Sequence, residues 1–212
     1  MSEQQQLESR KDFPNTAFDI VVVASSAGGL HALSELLSGL PALFPAAVVV
    51  VQHISPGYRS MLAHILSQRT ALAVRQAENG DTLYPSTVFI APPDRHLLVN
   101  ADHRLSLSQT EHVHFVRPSA DLLFESTAFM YGQRAIAVVL TGTGLDGAHG
   151  VQAIKRQGGV VIAQDEATSQ FFGMPGAAID TGSVDHILPL GKIAAALCAL
   201  SATGITSSTT HD

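Results

Sequence analysis

Cysteine is nearly absent: the 212 residues include one, Cys198, inside the apolar run IAAALCAL. No intrachain disulfide can form, and a reducing compartment suits such a composition. The expected role of the thiol is that of a small buried hydrophobe. Charge is scarce as well. Charged residues make up 14 % of the chain and the formal net charge is -6, so no basic stripe is available to follow a nucleic-acid backbone and nucleic acid is not an expected partner. Long apolar runs are missing too. None approaches the ~18 residues that a membrane-spanning helix needs, and the polar start MSEQQQLESRKDFPN has no apolar stretch of the secretory kind. A cytoplasmic protein without membrane insertion is expected.

What the chain does have is apolar residues, 46 % of the total, which argues against disorder and is ample for the core of a single domain. The polar ends, 1–17 and 202–212, read as flexible tails around a domain over 18–201. Between them, β-branched runs alternate with segments of helical period. FDIVVVA precedes GGLHALSELLSGL, and AAVVVVQH precedes GYRSMLAHILSQRT. Near-continuous apolar strands followed by amphipathic helices predict an α/β fold with a doubly wound, mostly parallel sheet and helices on both faces.

In the middle, LAVRQAENGDTL and TVFIAPPDRHLLVNADHRLSL suggest a short antiparallel excursion. The rhythm then resumes. SADLLFESTAFMYG reads as a helix with Ser119 as its N-cap, RAIAVVLTG as a strand, DGAHGVQAIKRQG as a helix, GVVIAQ as a strand and GKIAAALCALSA as a closing helix.

In open α/β sheets, ligands bind beyond the carboxyl ends of the strands. Three predicted ends carry polar side chains: Ser25 and Ser26 after the first strand, Gln52 and His53 after the second, and the TGTGLDG loop with Asp146 after RAIAVVL. A serine, a histidine and an aspartate thus emerge on one edge. A hydroxyl becomes a useful nucleophile when an imidazole takes its proton, and a carboxylate orients that imidazole and stabilises its charge. The glycine-rich turn can add backbone amides for an oxyanion. Ala24, Ser26 and Gly28 also match the small-x-Ser-x-small spacing of a nucleophile elbow, a frame that Ser25 does not fit. The chain order Ser, His, Asp differs from that of α/β-hydrolases.

A phosphate cradle and a plain tight corner are the alternatives. The dinucleotide pattern G-x-G-x-x-G is missing, AAVVVVQHIS lacks the acid that would hold a ribose, and no G-x-x-x-x-G-K-[ST] occurs. A turn or helix-cap hydroxyl is the plainer role for Ser25.

The segments SSAGGLHAL, VVQHISPGY, ENGD, FIAPPDRH, VRPSADLLFES, VVLTGTGLDGAHG and IAQDEATSQFFGMPGAAID occur in that order from about Phe18 to Leu200. Together they resemble the catalytic domain of the CheB chemotaxis receptor methylesterases. The resemblance implies a doubly wound α/β domain with Ser26 as nucleophile, His53 as base and Asp146 as its partner. Ala27 and Thr143 would supply the amides of the oxyanion site, where members often have Thr and Met. It further implies hydrolysis of glutamyl methyl esters on the cytoplasmic helices of chemoreceptors, deamidation of glutamines there, and no cofactor. The substrate rests on the resemblance alone. Members commonly carry an N-terminal receiver domain, and the tail here is too short for one, so regulation is expected from a separate response-regulator or adaptor protein. The rival from another class is a catalytically silent module that binds receptors or signalling proteins.

Two more residues are assigned to substrate binding. Arg117, ahead of Pro118 and Ser119, would meet an acidic receptor segment, and Met174 would form a mobile lip with Phe171 and Phe172. Their plainer readings are a solvated charge at a helix start and core packing. His112 and His114 would share a face of an extended EHVHF, but with no third ligand nearby no metal site is expected. Asp94, His96 and His103 read as a polar loop flanking the cleft.

Overall fold

The computed structural model describes residues 17–54, 60–100 and 102–202. The expected tails lie outside them, apart from Ala17 and Ala202. In chain order the strands are β1 (Ile20–Ser25), β2 (Ala47–Gln52), β3 (Ala73–Gln76), β4 (Thr87–Ile90), β5 (His96–Val99), β6 (Leu105–Ser108), β7 (Ala135–Val139), β8 (Val160–Gln164) and β9 (His186–Leu188). The helices are α1 (Gly29–Ser38), α2 (Leu62–Ser67), α3 (Ala120–Tyr131), α4 (Ala148–Arg156), α5 (Gly173–Asp180) and α6 (Leu190–Ala202).

Seven strands form one sheet in the order β3-β4-β2-β1-β7-β8-β9. Every pairing in it is parallel. Successive side chains of a strand point to opposite faces, and a parallel sheet must cover both. Accordingly Ile20, Val22 and Ala24 face a core built with α3, α4 and α5, including Phe124, Val151 and Ile154. Val21 and Val23 face a second core with α1, α2 and α6, including Leu33, Leu37 and Leu197. Each such buried aliphatic side chain stabilises the fold by about 1.5 to 3 kcal/mol. The α/β reading of the sequence thus holds.

The antiparallel excursion is shorter than expected. LAVRQ and TVFI are parallel strands of the main sheet, and among the strands named above only β5 and β6 pair antiparallel. Two elements were not foreseen, α5 and β9. Pro175 sits in the first turn of α5, where a missing N–H costs nothing, and β9 has only three residues. Cys198 on α6 is half-buried rather than fully enclosed, and burial pushes its thiol up.

Candidate active site

The strand order reverses at β1. From β1 the chain builds β2, β3 and β4 on one side, in the spatial order β2, β4, β3, then returns to place β7 on the other. A crevice at the carboxyl ends of the strands is expected at such a switch point. Ser26 follows β1, His53 follows β2, and Asp146 lies in the loop from β7 to α4. All three predicted residues therefore sit at this one end of the sheet.

The two serines have different surroundings. Ser25 is fully buried, and its Oγ donates to Gln52 Oε1 at 2.7 Å. Gln52 Nε2 in turn donates to the carbonyls of Ser26 (2.8 Å) and His53 (3.0 Å). Ser25 is thus neither turn nor cap; it is the pinned end of β1. Ser26 is half-buried, and its Oγ has no hydrogen-bond partner among the described residues. The turn that follows needs glycine twice. Gly28 has φ +78°, and a Cβ on Gly29 would lie 1.9 Å from Gln52 Oε1. Gln52, which the sequence places at this strand end without a role, links the serine turn and the histidine.

His53 Nε2 lies 2.8 Å from Asp146 Oδ2. With that nitrogen engaged, Nδ1 is the one left to act as a base. Asp146 is 3 % exposed yet well supplied with donors. Besides His53 it accepts the Ser119 hydroxyl (2.8 Å) and the amides of Ala120 (2.6 Å) and Asp121 (3.2 Å). Burial pushes its carboxyl up, but the bonds from His53, Ala120 and Ser119 outweigh this and hold it below the usual carboxylate range. Ser119 does occupy the N-cap position of α3, with extended backbone but no capping bond of its own; the cap is Asp146.

His96 supports this arrangement from below. It is fully buried at the start of β5, not part of a flanking loop. Its Nδ1 accepts the Ser119 amide at 3.1 Å, so Nε2 carries the proton and donates to the Glu111 carbonyl at 3.0 Å. Burial lowers its pKa, which keeps it neutral. The other two residues of the expected polar loop are also tied down: Asp94 pairs with Arg117, and His103 Nδ1 meets the Tyr131 hydroxyl.

Backbone donors border the serine. Among the described residues neither the Ala27 nor the Thr143 amide donates a hydrogen bond. The second loop runs close to the first: Ser26 N donates to the Thr141 carbonyl at 3.0 Å, and a Cβ on Gly142 would lie 2.8 Å from Ser26 Cβ. Two unpaired amides on adjoining loops are what an oxyanion site requires. A cleft of about 430 Å³ opens here, lined by Ser26, Leu30, Gln52, Arg69 and Gln170 among others. A larger cavity of about 660 Å³, lined by Gln76, Glu78 and Arg95, lies beyond β3 and β4 and includes none of Ser26, His53 and Asp146. Size alone does not mark the site.

The two substrate-binding assignments need correction. Arg117 has a side chain 15 % exposed, and Nε and Nη2 bond Asp94 while Nη1 bonds the carbonyls of Gln109 and Thr110. It is neither free for a substrate nor solvated; it ties two loops together. Met174 is 1 % exposed and packs behind Gly142, where a Cβ would lie 2.3 Å from its Sδ. It is core, not lip. Phe171 is exposed, and the backbone beside it bonds Thr141 and Gly142. His112 and His114 do not share an extended face, since residues 113–116 form a tight turn, and His114 instead meets Asp121 and His149.

Comparison with known proteins agrees with this geometry. The profile of the family described as CheB methylesterase matches residues 21–197. The chain is 43 % identical over 189 residues to the protein-glutamate methylesterase FrzG of Myxococcus xanthus, covering 89 % of this chain and 57 % of that protein. It is 47 % identical over 179 residues to a protein-glutamate methylesterase/protein-glutamine glutaminase of Anaeromyxobacter dehalogenans, covering 84 % and 52 %. The chain thus spans about half the length of the curated relatives it matches. The crystal structure of the Thermotoga maritima CheB methylesterase catalytic domain superposes with a TM-score of 0.83 at 40 % identity, covering 86 % of this chain and 98 % of that one. With the sheet, the switch-point site and the sequence in agreement, the chain belongs to the CheB methylesterase family.

Proposed function

We propose that this chain is a serine-type hydrolase that removes methyl groups from glutamyl methyl esters of chemoreceptor proteins, with Ser26, His53 and Asp146 as its triad. The observation that carries the reading is the 2.8 Å contact between His53 Nε2 and Asp146 Oδ2 at the end of the sheet where Ser26 stands. Ser26 Oγ attacks the ester carbonyl carbon while its proton passes to His53 Nδ1. Asp146 keeps the imidazole in the Nε2–H tautomer and stabilises the imidazolium. The Ala27 and Thr143 amides receive the oxyanion; one such donor is worth about 2.7 to 4 kcal/mol in the barrier. Collapse expels methanol, protonated by His53, and leaves an acyl-serine. Water then attacks with His53 again as base, freeing the glutamate carboxylate and the Ser26 hydroxyl.

With a glutamine side chain the same steps expel ammonia, so deamidation needs no further group. The names of the relatives, which pair methylesterase with glutaminase, support both activities. Chemoreceptor helices as substrate and a cytoplasmic location follow from the family resemblance. No helix among the described residues is long and apolar enough to cross a membrane. The test is methanol release from methylated receptor membranes. Release by the parent chain and none by Ser26→Ala supports the reading, and no release from any methylated receptor offered favours a silent binding module.

A further inference from the structure

Asp121 carries an oxygen that the site does not use. Its Oδ1 accepts the amides of Gly147 (3.0 Å) and Gly150 (2.7 Å). Its Oδ2, on a residue only 3 % exposed, has no hydrogen-bond partner among the described residues. A buried carboxylate oxygen is costly to leave so. His114 Nε2 approaches it to 3.3 Å without hydrogen-bond geometry, and the His149 ring stands edge-on to that of His114 with centroids 5.5 Å apart. One ligand atom from each of His114, Asp121 and His149 lies within 4.8 Å of the other two.

These ligands come from three segments. His114 is at the tip of the 113–116 turn, Asp121 in the first turn of α3, and His149 in the first turn of α4. Both histidines are exposed, so an ion can arrive from solvent. Two imidazole nitrogens and one carboxylate oxygen suit zinc and its neighbours, whereas calcium and magnesium take oxygen sets. Bonds of about 2.0 to 2.2 Å require the ligand atoms to draw closer than they now stand, which rotation of two exposed imidazoles can accomplish.

We propose that His114, Asp121 and His149 form a three-ligand site for a divalent transition-metal ion of the zinc class, with water completing the coordination, and that the ion clamps the starts of α3 and α4 together. The charge balance supports this. Burial pushes the Asp121 carboxyl up, Gly150 draws it back, Asp146 pushes it further up, and His114 and His149 oppose. A dication at Oδ2 answers that burial more fully than two imidazoles do. The site does not depend on the proposed hydrolysis, and its test reads binding and stability.

The full chain, stripped with a chelator, would be titrated with Zn²⁺ by calorimetry and with Co²⁺ by visible absorption. One saturable equivalent is expected, together with cobalt bands of a low-symmetry nitrogen–oxygen site. His114→Ala and His149→Ala should each weaken binding at least about tenfold, and the double variant should lose it. His186→Ala, on exposed β9, should bind as the parent does. At free zinc about a hundredfold above Kd, the unfolding midpoint should rise by roughly 5 to 10 °C in the parent and not in the double variant. The histidines are exposed, so equal midpoints without metal will show that the variants fold. No saturable equivalent in the parent, as a plain His–Asp–His ion pair would give, overturns the assignment. So does an equivalent retained by the double variant.

Discussion

Asp121 and Asp146 cap each other's helices. Asp146, just ahead of α4, accepts the Ala120 and Asp121 amides at the start of α3, while Asp121, in α3, accepts the Gly147 and Gly150 amides at the start of α4. Each carboxylate sits where helix dipoles favour negative charge. The exchange also fixes the Asp146 carboxylate against His53, so the proposed triad and the α3–α4 packing share one set of bonds.

Asp146→Asn should therefore lower turnover by about 10³- to 10⁴-fold, because an amide orients His53 wrongly and cannot stabilise its charge. It should also cost about 1 to 2 kcal/mol of stability, since the charged cap of α3 is lost. Urea unfolding alongside the ester assay separates the two effects. A variant with more than about a tenth of parental turnover would remove Asp146 from the mechanism.

The two carboxylates should also pull the stability of the fold in opposite directions with pH. Asp146 is held below its ordinary value, so its contribution is present above the unfolded value, about 3.9, and is lost as pH falls through the folded one. Asp121, pushed up chiefly by burial with Asp146 adding, favours the fold below the unfolded value and loses that contribution as pH rises through its folded one. Asp121→Asn cannot titrate. In chelator, its midpoint relative to the parent should climb as pH rises from about 4 to 7, His114 and His149 being the other groups that face it. A relative midpoint that falls over this range would contradict the assignment.

His96→Phe should destabilise the fold by about 2 to 4 kcal/mol, because the Ser119 amide would be buried without a partner and the bond to the Glu111 carbonyl would be lost. Turnover should fall as well, through loss of the Ser119 position that holds Asp146. His186→Phe, on exposed β9, serves as the comparison. Equal unfolding midpoints for the two would show that the His96 bonds contribute nothing.

The placement of Ser26, His53 and Asp146 at one end of the sheet was legible in the sequence because Ser26 and His53 directly follow strands marked by continuous apolar runs, Asp146 lies in the loop after a third, and parallel strands bring such ends together. The core packing of Met174 was already its plainer reading, but the roles of Arg117, His96 and His114 were not legible. Each depends on contacts between segments that are distant in the chain: Arg117 with Asp94, His96 with Ser119, His114 with His149. Local composition carries no mark of such pairings. The parallel direction of β3 was hidden for a related reason, since LAVRQ is mostly exposed at the sheet edge and lacks the apolar run of a central strand.

The claim at the centre is that Ser26, and not its buried neighbour Ser25, is the nucleophile. The direct measurement is peptide mapping by mass spectrometry after treatment of the native chain with a serine-directed fluorophosphonate. One adduct is predicted, on Ser26. It should be absent from Ser26→Ala, slowed in Asp146→Asn, and kept in Ser25→Ala, which should lose only the Gln52 bond and about 1 to 3 kcal/mol of stability. An adduct on Ser25, or none on a folded chain, would contradict the account.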